Sequence, residues 1–217
     1  MDDHDEGGRA EGTEHEHGDG DGHEHDHHHH DVAELEVAVL TVSSSRGSAE
    51  DAAGEAICEI VREAGHEVSV RELINDDYDA VQDTVDRFVN RGDTDCVVTT
   101  GGTGVTPDDV TVEALEPLFD KRLPGFGELF RSLSREQIGT KVVGTRATAG
   151  IADGAPVFCL PGSESAVRLG TAEIVVEEAP HLVGLATRDD GSEDDDPERH
   201  APGDDGDEGG DGDDRDD

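Results

Sequence analysis

The chain has 217 residues, enough for one compact domain with tails, and its 56 acidic residues against 16 basic ones give a formal charge of −40. That sign repels nucleic acid and anionic membranes, which argues against both as partners. Lysine occurs only at Lys121 and Lys141, tryptophan is absent, and the acidity pervades every part of the chain; this fits adaptation to a cytoplasm of very high salt better than an acidic mesophilic protein.

Residues 1–30 hold nine of the twelve histidines (His4, His15, His17, His23, His25 and His27 to His30) among Asp, Glu and Gly, with no apolar face, which predicts a disordered tail. Its imidazoles could bind Ni²⁺, Zn²⁺ or Cu²⁺. A solvated tail with incidental metal affinity is the plainer reading, and no catalysis is assigned to it. Residues 31–187 form the expected domain, and residues 188–217, almost devoid of apolar side chains, form a second disordered, acidic tail. Cys58, Cys96 and Cys159 are odd in number and sit in apolar runs, so they read as buried hydrophobes in a reducing cytosol. No apolar run approaches the roughly 18 residues of a membrane span, and the N-terminus is acidic where a signal peptide is basic. The expected location is the cytoplasm.

Leu35 to Val42 (LEVAVLTV) is a near-continuous aliphatic run, as in a strand covered on both faces of a parallel sheet. It ends in Ser43, Ser44, Ser45, Arg46 and Gly47, at the sheet edge where ligands bind in open α/β folds, and Arg46 is either an anion grip or a surface arginine. Asp51 to Ala64 has apolar residues at helical spacing, with Gly65 at its C-terminus. His66 to Ile74 reads as a strand leading into Asn75, Asp76 and Asp77, and Ala80 to Asn90 as a helix. Cys96 to Thr99 is a third strand, broken by Gly101, Gly102, Thr103 and Gly104, after which Pro107, Asp108, Asp109 and Thr111 predict a helix start. A strand, a glycine loop and a helix start suit an anion such as phosphate. The two aspartates would repel it unless a hard cation bridges them, so the stretch predicts a Mg²⁺-phosphate site.

Beyond it the chain predicts a short helix through Val112 and Leu115, a turn at Leu123 to Phe126, a helix from Glu128 to Ile138, and a last inner strand, Val157 to Leu160. Ser163 can cap a helix from Glu164 to about Glu178 that Pro180 breaks, with His181 to Thr187 as a last turn or two. The alternation gives a three-layer α/β/α fold with a mostly parallel central sheet.

Four ordered blocks, TTGGTGxTxxDVTxEAL (99–115), LPGFGELFRxLSxxxIG (123–139), TRATAG (145–150) and LPGSxxAV (160–167), resemble the MogA/MoaB family of molybdenum-cofactor biosynthesis proteins, here in a haloarchaeal-type member. The resemblance covers about Leu35 to Gly184. It implies a domain that binds molybdopterin and ATP, transfers AMP to the pterin phosphate and releases pyrophosphate. It also implies a homotrimer or hexamer, with a molybdenum-insertion protein downstream. By resemblance Asp109 and Asp76 are the catalytic, metal-holding aspartates, with a slip to Asp77 open. Gly101, Gly102, Thr103, Gly104, Thr145, Arg146, Pro161, Gly162 and Ser163 would bind the pterin and its phosphate. DAAG (51–54) departs from the DxSG of MoaB-type relatives, leaving Asp51 best read as a helix cap; Glu128 either faces the site or offsets a helix dipole; His181 is expected to pack. The alternatives are a non-catalytic pterin carrier, a metal buffer acting through the histidine tail, and a nucleotide pyrophosphatase of the competence-damage type.

Overall fold

The computed structural model describes residues 32–43 and 51–187. The histidine-rich segment, Ser44 to Gly47 with Arg46, and the acidic segment from residue 188 lie outside the described residues. Six strands form one sheet: β1 (Glu36–Val42), β2 (Glu67–Ile74), β3 (Cys96–Thr100), β4 (Lys121–Arg122), β5 (Thr148–Ala152) and β6 (Ala155–Leu160). Their order is β2-β1-β3-β6-β5-β4. β2, β1, β3 and β6 run parallel, and β5 and β4 add on antiparallel.

The strands alternate between two cores. Val37, Val39, Val98 and Phe158 pack beneath α1 (Ala52–Glu63), α4 (Pro124–Ile138), α5 (Glu164–Gly170) and α6 (Val176–Ala186). Ala38, Leu40, Val97 and Val157 pack on the other face, beneath α2 (Tyr78–Val89) and α3 (Thr111–Leu115). This is the three-layer arrangement that period-two burial of both sheet faces requires. Cys58, Cys96 and Cys159 are buried free thiols, and burial pushes Cys96 and Cys159 up to about 12. No described helix is long and apolar enough to cross a membrane.

Several boundaries differ from the sequence reading. The helix expected at Pro107 begins only at Thr111, because Asp109 turns its carboxylate back onto Thr106 instead of capping a helix. The expected turn at Leu123 to Phe126 is the first turn of α4, with Pro124 where its missing N–H costs nothing. β4 is too short, and β5 (TAGIA) too rich in small residues, to stand out as strands; pairing with β6 holds β5 in the sheet. Ser163 stands at the start of α5, but its side chain makes no capping bond. Pro180 lies inside α6, directly after a π turn over Thr171–Val175, and removes one donor without ending the helix.

Phe158 is 1% exposed in a central strand, with the Phe126 ring 5.3 Å away between centroids. Phe158→Ala should lower stability by about 3–5 kcal/mol, read as a reduced urea midpoint with an unchanged m-value.

Candidate active site at the strand C-terminal edge

Gly101 and Gly102 set the geometry at the end of β3. Their φ angles are +97° and +62°, and a Cβ on Gly101 would collide with the Val42 carbonyl. The Gly101 N–H donates to Leu160 O at 3.1 Å, and Thr100 Oγ1 donates to Pro161 O at 3.0 Å. The ends of β1, β3 and β6 therefore converge, and a cavity of about 510 Å³ opens above them. That is within the range of ligand pockets.

The cavity brings together Asp76, Asp109, Gly101, Gly102, Thr103, Gly104, Thr145, Pro161 and Gly162 from the residues singled out in the sequence. The Asp76/Asp77 ambiguity has a local answer. Asp77 caps α2, accepting from the Ala80 N–H at 2.9 Å, while Asp76 lines the cavity. Two expected residues lie elsewhere. Ser163, just before α5, does not line the cavity, although its neighbour Glu164 does. Arg146 is drawn away by Glu113, with which it forms an ion pair, and donates to the carbonyls of Gly104 (2.7 Å) and Asp109 (3.2 Å). Glu128 opens onto the neighbouring groove beside Arg131. His181 is half-buried on α6.

Ser43, from the polar loop expected at this ligand-binding edge, lines the cavity too; other lining residues were not singled out: Thr41 at the end of β1, Thr100, Gly144 and Glu164. Thr41 had a signal, a hydroxyl inside an otherwise aliphatic strand. Asp51 takes both roles. It caps α1 through the Gly54 N–H (2.9 Å), accepts from Thr41 Oγ1 (2.7 Å) and Arg71 (2.9 Å), and also faces the cavity. Burial alone would raise its carboxyl, but Arg71 and the other donors hold it below the usual range.

Among the described residues lining the cavity there are four carboxylates, Asp51, Asp76, Asp109 and Glu164, and no lysine or arginine. Asp76 and Asp109 are in contrasting states. Burial works to raise Asp109, yet the hydroxyl and N–H of Thr106 (2.6 and 2.7 Å), the Gly104 N–H and nearby Arg146 bring it below its ordinary value. Burial pushes Asp76 up, and Asp109 and Asp108 add to the rise against the pull of its own backbone N–H. Asp76 Oδ2 is buried without a hydrogen-bond partner. A buried, unpartnered carboxylate oxygen in a cavity shared with a second carboxylate suits a hard cation with oxygen ligands.

Residues 38–181 match a family described as a probable molybdopterin binding domain. Molybdenum cofactor biosynthesis protein B of Bacillus subtilis (strain 168) is 41% identical over 152 residues, covering 70% of this chain and 89% of that protein. Its namesake in Escherichia coli (strain K12) is 40% identical over 146 residues, covering 67% and 84%. The crystal structure of the tungsten cofactor synthesizing protein MoaB from Pyrococcus furiosus matches with a TM-score of 0.66 at 40% identity, covering 71% of this chain and 98% of that one. Identity of this order across most of each relative's length places the chain in the MoaB/MogA family of molybdenum cofactor biosynthesis proteins.

Proposed function

We propose that this protein is a Mg²⁺-dependent molybdopterin adenylyltransferase, which transfers AMP from ATP to the molybdopterin phosphate and releases pyrophosphate. The observation that carries this reading is the cavity itself: a glycine loop at the strand ends flanked by Asp76 and Asp109, lined among the described residues by four carboxylates and no lysine or arginine. Two polyanionic substrates cannot meet there without added positive charge. Mg²⁺ is usually bound by one or two carboxylates, with substrate phosphates and water completing its shell, and Asp76 and Asp109 can supply that number.

Asp76 and Asp109 would hold the ion. When bound, it supplies charge neutralisation at the phosphate oxygens. A pterin phosphate oxygen, already ionised and needing no general base, attacks the α-phosphorus of ATP; the bond to the bridging oxygen breaks and pyrophosphate leaves. The protein's contribution is alignment and exclusion of water. Gly102 and Thr103 offer donors to phosphate or pterin, whereas the Gly104 N–H is already held by Asp109. Thr145, Pro161 and Gly162 also line the cavity.

The acidic composition, with two lysines in 217 residues, supports a high-salt cytoplasm of haloarchaeal type. By resemblance the protein assembles as a homotrimer or hexamer. The leading rival is a pterin carrier without turnover.

Incubation with molybdopterin, ATP and Mg²⁺ should yield adenylylated pterin and pyrophosphate in equal amounts; binding of pterin without pyrophosphate release sinks the enzyme and favours the carrier. Asp109→Ala should lower turnover at least 100-fold, about 2.7 kcal/mol in the barrier, with pterin affinity changed little. Asp76→Asn should likewise abolish turnover but stabilise the fold. Because ionised Asp76 is the costly form, the gain is present near neutral pH and disappears as the pH falls and Asp76 of the parent protein protonates. A gain of about 1 kcal/mol would raise the melting temperature by about 2–4 °C. A variant less stable than its parent at neutral pH contradicts the strained state of Asp76.

A further inference from the structure

The loop from Gly104 to Asp109 carries a proposed metal-holding carboxylate, yet none of its side chains is buried: Val105, Thr106, Pro107 and Asp108 are exposed, and Gly104 and Asp109 only half-covered. Apolar packing therefore does not hold it, and its shape depends on polar contacts. From within, the Asp109 carboxylate accepts from Thr106. From outside, the guanidinium of Arg146 closes both ends at once. Its Nε donates to Gly104 O and its Nη2 to Asp109 O, while Nη1 and Nη2 grip the Glu113 carboxylate on α3. The planar fork of arginine matches this spread of acceptors, and the Glu113 charge keeps it turned away from the cavity.

We propose that Arg146 and Glu113 form a positioning clamp that holds the Gly104–Asp109 loop so that the Asp109 carboxylate stays aimed into the cavity. Neither residue lines that cavity. The functional consequence rests on the cation reading above, but the clamp can be tested independently of it. In the full-length protein, hydrogen exchange of residues 104–110 and Mn²⁺ binding followed by electron paramagnetic resonance report the loop and the ion site separately.

Arg146→Ala should speed exchange of the loop amides and weaken Mn²⁺ binding, each by about tenfold, the size expected from losing charge-assisted hydrogen bonds, with β1 and β3 as protected as before. Glu113→Gln should give a smaller change in the same direction and add little on top of Arg146→Ala. Arg146→Lys should not restore the parent values, since one ammonium group cannot serve two carbonyls and a carboxylate in the fork geometry. Loop exchange within twofold of the parent, full rescue by lysine, or faster exchange with unchanged Mn²⁺ affinity each overturns the clamp. A parent protein that takes up no Mn²⁺ instead overturns the cation reading, and the exchange data then decide the clamp alone.

Discussion

The close approach of three strand ends at Gly101 is the constraint on which the site depends. Its backbone passes so near the Val42 carbonyl that no side chain can be accommodated, and Gly162 comes close from the far side. Each contact is made by backbone, so the geometry is not set by rotamers. Once β1, β3 and β6 are drawn together, Thr41, Thr100 and Pro161 are brought to a common floor. The flanking helices follow from the chain's need to cross over between parallel strands. The two cores below supply the stability against which this edge can be kept polar and open.

The two aspartates above that floor show what such an edge can hold. Asp109 is satisfied within its own loop, while Asp76 faces it with one oxygen buried and unpartnered. Buried polar atoms without partners each cost about 1–3 kcal/mol, so a fold optimised for stability alone would have removed this one. Asp77, next in the chain, relieves itself by capping α2; Asp76 has no such outlet. Thr111 Oγ1 and Thr171 Oγ1 are also buried without partners, but Asp76 is the carboxylate among them and the one that lines the cavity, where such frustration is characteristic of ligand sites.

The strand–helix alternation was legible because burial leaves plain marks: aliphatic runs for β1, β3 and β6, helical spacing for α1 and α2, and a capping residue at Asp51 for α1. β4 and β5 were not, since a two-residue strand and a run of Thr, Ala and Gly have no periodicity of their own and are strands only through pairing. The glycine loop and both aspartates could be read as a candidate site from their chemistry and from resemblance. The placement of Arg146 could not, because its partner Glu113 lies 33 residues away and nothing local distinguishes a ligand-facing arginine from one turned outward. Asp51 was obscured for the opposite reason: its local capping role was correctly read and hid its second exposure to the cavity.

Charge acts on this protein at two ranges, and the remedies differ. Over the surface, arginines are committed to neighbouring acids, as with Arg71, Arg87, Arg122 and Arg168. Exposed pairs of that kind add little stability and leave the acidic excess in place. Molar salt shortens the Debye length to about 3 Å and so removes the long-range repulsion of an incoming phosphate. At direct contact, within that length, diffuse salt screens little, so it would not offset Asp76 and Asp109 against a phosphate bound beside them. A bound ion in direct contact can. An acidic surface can therefore be tolerated by adjusting the medium, whereas an acidic site with a phosphate ligand needs its cation in place.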